Sequence, residues 1–205
     1  MELLLIRHGR PDEHDKDSPH DPRLHADGWE QARAVADHLS KYGVTRIVAS
    51  PMRRARQTAA PLAENAGLPV ITIDGWAEAD RNSGPYRSME TLRAAGGDAW
   101  ERFLENPIRF LGADPEIFRA AVLDAFAQTI NGGDYDACVA VFCHGMPINI
   151  VVAHLLGLDS VTKFAIRYGS ITHVRRSSRG KVGVVSVNET GHLPRAMPVA
   201  QKDVK

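Results

Sequence analysis

Residues 2–6 are a short, nearly continuous apolar run, the mark of a strand covered on both faces. Residues 10–27, "RPDEHDKDSPHDPRLHAD", carry three prolines and no apolar period, and predict a long loop. Asp27-Gly28 opens a helix whose stripe is Trp29, Ala32, Val35, Ala36 and Leu39 and which Gly43 ends. "RIVAS" is a second strand. The stretch after it offers Ser50 as an N-cap, Pro51 at the first helical position and Pro61 as a kink or break. "LPVITID" is a third strand.

From Gly75 to about Gly133 the pattern changes. A polar stretch to Ser88 is loop-like. Helical segments follow at roughly 88–105 and 114–131, joined by the proline- and glycine-containing connection "ENPIRFLGADPE". "DACVAVFC" is a fourth strand and "PINIVVAHLLG" a helix. "SITHVRR" and "KVGVVSVN" alternate around the turn "SSRG", a pattern for an antiparallel pair, and the tail after His192 has the character of a loosely ordered end. Strands alternating with helices predict an α/β fold, a three-layer αβα sandwich whose central sheet is mostly parallel with helices on both faces. The 205 residues suit a single domain, 1–205, with a helical and loop insertion at about 75–133.

Composition narrows this little. The formal net charge is +0, so bulk electrostatics point to neither nucleic acid nor an acidic membrane, and any cationic function is local. No apolar run approaches the ~18 residues that span a bilayer, and the N-terminus lacks the layout of a secretory leader, so the expectation is a soluble cytoplasmic protein. The two cysteines, Cys138 and Cys143, read as buried small hydrophobes rather than a disulfide framework.

Candidate chemistry gathers at strand ends, where open α/β sheets bind ligands. The first strand delivers Arg7-His8-Gly9. The second delivers Ser50-Pro51, with Arg53 and Arg54 in the next helical turn. The fourth delivers His144-Gly145. Two apolar runs that each end in His-Gly are hard to explain as packing. A glycine after each histidine suits a sharp turn or close backbone approach, and guanidinium groups match phosphate oxygens in pairs. The set reads as a phosphate pocket.

These residues carry a resemblance. "LLLIRHG" is similar to the signature of the histidine phosphatase superfamily, also called phosphoglycerate mutase-like. "DPRLHADGWEQARAVADHL", "VASPMRRARQTA", "FCHGMPINIVVAHLLGL" and "SITHVRR…VVSVNETGHL" resemble further blocks of that family, in its order and over nearly the whole chain. The resemblance implies the phosphoglycerate mutase-like fold and a metal-independent phosphomonoester hydrolase that needs no cofactor. It implies His8 as the nucleophile that becomes a phosphohistidine, Arg7 and Arg54 as phosphate-binding arginines, and His144 as the second histidine of the pocket, binding phosphate and assisting catalysis. A backbone carbonyl is the expected partner for the other ring nitrogen of His8. The family's general acid is a Glu in a Leu-x-Glu-x-x-x-Gly pattern. Here Glu78 fits the first half of that pattern and Asp80, four residues before Gly84, the second. Glu78 is the assignment and Asp80 the alternative. The insertion is expected to roof the site.

Simpler readings weigh on the rest. Arg53 reads as a surface residue. Cys143 lacks the Cys-x5-Arg loop of a thiol phosphatase, and His14 and His20 read as parts of a solvated acidic loop rather than a metal site. His38, His154 and His173 read as structural or exposed, and His192 matches a family position without a derivable role. Arg10, Arg81 and Tyr86, with Arg87 and Arg93, lie in the two loop regions where substrate or solvent could meet them. The alternatives to hydrolysis are phosphoglycerate mutase-type transfer and a non-catalytic phospholigand-binding module. Family mutases carry longer insertions and a Glu-Ser/Thr where this chain has Arg10-Pro11, which favours hydrolysis. The expected partner is a small phosphorylated metabolite. The sequence leaves its alcohol open, and the oligomeric state too; a dimer is compatible.

Overall fold

The computed structural model describes residues 1–160 and 163–193. Its centre is a six-stranded sheet in the order β3-β2-β4-β1-β5-β6. The strands are β1 (Glu2–Arg7), β2 (Arg46–Ala49), β3 (Val70–Thr72), β4 (Cys138–Cys143), β5 (Ile171–Arg176) and β6 (Val182–Glu189). The first four pair in parallel, and β5 and β6 add antiparallel on the far side of β1. Seven α-helices complete the described fold: α1 (Ala26–Leu39), α2 (Arg53–Ala66), α3 (Met89–Ala95), α4 (Gly97–Glu105), α5 (Pro107–Phe110), α6 (Pro115–Asn131) and α7 (Gly145–Leu156).

Strand alternation builds both helical layers. Leu4, Ile6, Ile47, Ala140 and Phe142 point to one face, where they pack with Val35 and Leu39 of α1 and Ala59 and Leu62 of α2. Leu3, Leu5, Val48, Val139 and Val141 point to the other, against Val122 and Phe126 of α6 and Ile148 and Val152 of α7. A sheet buried on both sides explains the continuous apolar runs of β1 and β4. It also aligns the carboxyl ends of β2, β4 and β1, because Arg7 pairs with Cys143 and Ala49 with Phe142. The residues just beyond those ends therefore become neighbours.

Several local expectations need correction. α2 is capped by Met52, not Ser50, and it runs through Pro61 without ending. A proline forfeits one helical N–H bond, here to the Gln57 carbonyl, while the Ala55, Ala59 and Leu62 face stays packed on the sheet. The 88–105 segment is two helices, parted at Gly96 and Gly97, both at positive φ. The connection after it contains the short α5, capped by Asn106 with Pro107 at its start. The stretch after Leu193 lies outside the described residues.

The glycines after the two histidines do not sit at positive φ. Gly9 is required by packing: a Cβ there would lie 2.4 Å from the Gly28 carbonyl oxygen, and one on Gly28 only 2.1 Å from that of Arg10. The start of α1 is thus pressed against the chain leaving β1. Cys138 and Cys143 are buried free thiols in opposite core layers. Burial pushes the Cys143 thiol well up, so it is no nucleophile at neutral pH.

Candidate active site

Arg7, His8, Arg54 and His144 meet at the aligned strand ends, all buried. The imidazoles of His8 and His144 lie 5.0 Å apart, centroid to centroid. His8 Nδ1 is 2.8 Å from the Gly9 carbonyl, which is the carbonyl partner expected from the sequence. Arg54 Nε donates to His8 Nε2 at 3.3 Å. Burial, and then the charges of Arg54 and Arg7, hold His8 well below the usual histidine range. His144 is held down in the same way, by burial first and then by Arg54, His8 and Arg7.

Each arginine is held by carboxylate and covered by a tyrosine; beside its bonds to Asp80, Arg54 has Asp21 Oδ1 3.7 Å from Nη1, an ion pair beyond hydrogen-bond distance. Arg54 Nη2 donates to both oxygens of Asp80, at 2.9 and 3.2 Å, and the guanidinium lies 4.7 Å from the Tyr86 ring. Arg7 Nη1 donates to Glu90 at 3.2 Å and to the Ile166 carbonyl at 2.5 Å, and its guanidinium lies 3.8 Å from the Tyr168 ring. The hydroxyls of Tyr86 and Tyr168 are 3.3 Å apart, and Tyr168 donates to Glu90 at 3.1 Å. Three nitrogens, Arg7 Nε, Arg54 Nη1 and His144 Nδ1, are buried without a hydrogen bond among the described residues.

Glu78 approaches from the third strand's side. Its carboxylate accepts from the Ala79 N–H at 3.0 Å and the Met146 N–H, in the first turn of α7, at 3.2 Å. Burial first, and then the Asp80 carboxylate, push its pKa up to about 7.

Residues 3–190 match the model of the histidine phosphatase superfamily, branch 1. This chain belongs to the histidine phosphatase superfamily. Among curated histidine phosphatases it is 25% identical over 200 residues to phosphoserine phosphatase 1 of Hydrogenobacter thermophilus, covering 94% of each protein. It is 27% identical over 178 residues to "Probable phosphoglycerate mutase GpmB" of Enterobacter, covering 82% of this chain and 80% of that protein. It spans 54% of the length of a bifunctional protein of Mycobacterium tuberculosis that it matches at 26% identity. A crystal structure of phosphoserine phosphatase from Entamoeba histolytica, in complex with 3-phosphoglyceric acid, superposes with a TM-score of 0.70 at 26% identity, over 94% of this chain and 99% of that one. Among the described residues no helix of this histidine phosphatase is long and apolar enough to cross a membrane.

The fold of this histidine phosphatase brings seven of the nine candidate site residues together: Arg7, His8, Arg54, Glu78, Asp80, Tyr86 and His144. Arg10 and Arg81 stand apart. Arg10 pairs with Asp27 at the surface, 2.5 Å away, and Arg81 with Asp74 at 3.4 Å. Arg53 is half exposed, 3.5 Å from Asp15, and Arg87 and Arg93 are exposed. Among the other histidines, His20 lies 3.2 Å from the Ser83 carbonyl, His154 is exposed and His173 pairs with Glu2.

Sequence reasoning missed Tyr168, Glu90 and the true contact of Ser50. Tyr168 and Glu90 sit in segments with no signature of their own. Ser50 was visible but fitted another role: its hydroxyl oxygen accepts the Met52 N–H at 3.2 Å and lies 2.8 Å from His144 Nε2.

Proposed function

We propose that this chain is a cytoplasmic phosphomonoester hydrolase acting through a phosphohistidine on His8, folded as one domain whose 75–133 segment roofs the site, with a small phosphorylated metabolite as substrate. The observation that carries the reading is the set of three buried nitrogens without hydrogen bonds, Arg7 Nε, Arg54 Nη1 and His144 Nδ1, around a neutral imidazole. Buried donors left unmade are costly, so a group of them needs a partner, and a phosphoryl group supplies three acceptor oxygens. Ser50 supports the donor role of His144. Its oxygen already accepts from Met52, its hydroxyl proton is free to go to His144 Nε2, and the ring's own proton then sits on Nδ1.

The chemistry follows. His8 Nε2 attacks phosphorus while the bond from phosphorus to the substrate oxygen breaks. Charge on the equatorial oxygens is met by Arg7, Arg54 and His144. Glu78, with a pKa of about 7, gives its proton to the departing oxygen. Asp80 is less suited to that role because both its oxygens are engaged by Arg54. Water then attacks phosphorus, Glu78 takes the water's proton, and the N–P bond breaks to release phosphate. The two arginines supply the positive charge and neutral His144 a hydrogen-bond donor, so the mechanism calls for no metal ion.

The test is phosphate release from a broad panel of phosphomonoesters, with EDTA present and His8→Ala alongside. Hydrolysis that persists in EDTA and disappears in the variant supports the reading. Release restored only by a divalent ion overturns the metal-free mechanism. No release from any ester points to mutase-type transfer, which the likeness to a phosphoglycerate mutase supports, or to a binding module; a phosphoglycerate isomerisation assay separates these two.

A further inference from the structure

We propose that Asn188 and His192, in the closing "NETGHL" stretch, are positioning residues that hold the 164–170 segment against Arg7 and His8, so that phosphate binding depends on them. The inference rests on the phosphatase reading above.

Residues of this segment alternate between two partners. On the site side, the Ile166 carbonyl accepts from Arg7 Nη1, and the Tyr168 ring covers the Arg7 guanidinium and lies 5.5 Å from the His8 ring. The Ser170 carbonyl accepts the Arg7 N–H at 3.1 Å. On the other side, Asn188 Nδ2 donates to the Ala165 carbonyl at 3.0 Å, and Asn188 Oδ1 accepts the Arg167 N–H at 2.8 Å. His192 Nε2 donates to the Gly169 carbonyl at 2.9 Å. The N–H of Gly169 then reaches the Arg7 and His8 carbonyls, at 3.0 and 3.3 Å. One residue thus links His192 to the backbone of the nucleophile. Asn149 of α7 secures the start of the segment through two bonds to the Phe164 backbone.

Asn188 adopts φ of 61°, and among the described residues it is the one non-glycine at positive φ. It falls where the β5–β6 register slips, between the Ile171–Glu189 and His173–Ser186 pairs. A hairpin needs neither feature, and left-handed backbone is uncommon in a non-glycine residue. The bulge places the Asn188 amide where it makes two bonds to a segment 21 and 23 residues away. The Arg7 guanidinium has its orientation fixed by Ile166 and Tyr168, so the direction of its unpartnered Nε is set by a segment that Asn188 and His192 hold.

The test compares Asn188→Gly, His192→Leu and His192→Gln in the full chain. Glycine keeps the positive φ and deletes the amide, and glutamine can restore a donor near the position of Nε2. kcat and KM on a hydrolysed monoester, the Kd of inorganic phosphate by calorimetry and the Tm are measured, with assays well below every Tm. The expected result is a loss in kcat/KM of roughly ten- to a hundredfold and several-fold weaker phosphate binding in Asn188→Gly and His192→Leu, with most of both recovered in His192→Gln. Wild-type kcat/KM and phosphate affinity in the first two variants overturn the proposal, and so does a His192→Gln as impaired as His192→Leu. Should the wild-type chain hydrolyse no monoester, the phosphatase reading fails by itself. The phosphate titration then decides the clamp: weaker binding in the two variants supports it and unchanged binding overturns it.

Discussion

His8 is bonded through Nδ1 to the Gly9 carbonyl and through Nε2 to Arg54 Nε–H, and each partner has a single possible role. A carbonyl only accepts, so Nδ1 carries the proton; a guanidinium N–H only donates, so Nε2 presents its lone pair. The two bonds select the neutral tautomer whose unprotonated nitrogen is Nε2, the atom to which the proposed mechanism gives the attack.

The first prediction is a pH profile. A free histidine loses its nucleophilic form as the pH falls through about 6.5. Burial beside Arg54 and Arg7 moves that loss well below the usual range. On an aryl phosphate, kcat/KM corrected for the substrate's own ionisation should therefore hold steady down through pH 6.5 and fall only well beneath it. An enzyme limb at about 6.5 would contradict the neutral, buried state of His8.

Leaving-group dependence identifies the acid. Glu78→Gln should lower turnover of alkyl phosphates by roughly 10²–10⁴ and of aryl phosphates far less, because aryl leaving groups depart with little protonation. Asp80→Asn should depress both classes together, since it releases Arg54. A selective alkyl defect in Asp80→Asn, with Glu78→Gln near normal, would reverse the assignment.

Glu78 also links stability to pH. Its folded pKa, about 7, is raised above the ordinary 4.5. Between these values the folded chain binds a proton the unfolded chain has released, so this residue's contribution falls as the pH rises through that window and is constant outside it. Glu78→Gln carries no such cost. Its Tm relative to wild type should rise between pH 4.5 and 8, as thermal unfolding at several pH values can test. A constant difference would mean that Glu78 titrates normally.

Packing around His8 gives the fourth prediction. Gly28→Ala would place a Cβ 2.1 Å from the Arg10 carbonyl oxygen, a backbone atom that cannot swing aside. The expected destabilisation is about 1–3 kcal/mol, measured by urea unfolding, with a fall in kcat as the chain after His8 shifts. Unfolding at the wild-type midpoint would show that α1 can slide away from this contact.

Much of the site is legible in the sequence because a buried strand must stop at the sheet edge. A polar residue immediately after an apolar run therefore has its place fixed. Arg7, His8 and His144 are found this way, while Arg54 is told from Arg53 by the resemblance of "VASPMRRARQTA" to the family's segment. The acid was ambiguous because Glu78 and Asp80 are two residues apart and differ only in partner: Arg54 takes Asp80, while Glu78 faces backbone N–H groups. No local pattern records that choice. Arg10 and Arg81 show the same limit, since only the fold sets the neighbouring carboxylates Asp27 and Asp74 beside them.

The sequence by itself determined the αβα layering, the strand ends that carry the chemistry and the family, because hydrophobic periodicity and chain order are one-dimensional properties. Tertiary structure alone decided which tautomer His8 holds, which carboxylate Arg54 takes, why Gly9 is glycine, and that Tyr168, Glu90, Asn188 and His192 belong to the site's surroundings. Each of these depends on hydrogen bonds, desolvation and contacts that act over a few ångströms between residues far apart in the chain, and those distances exist only once the chain has folded.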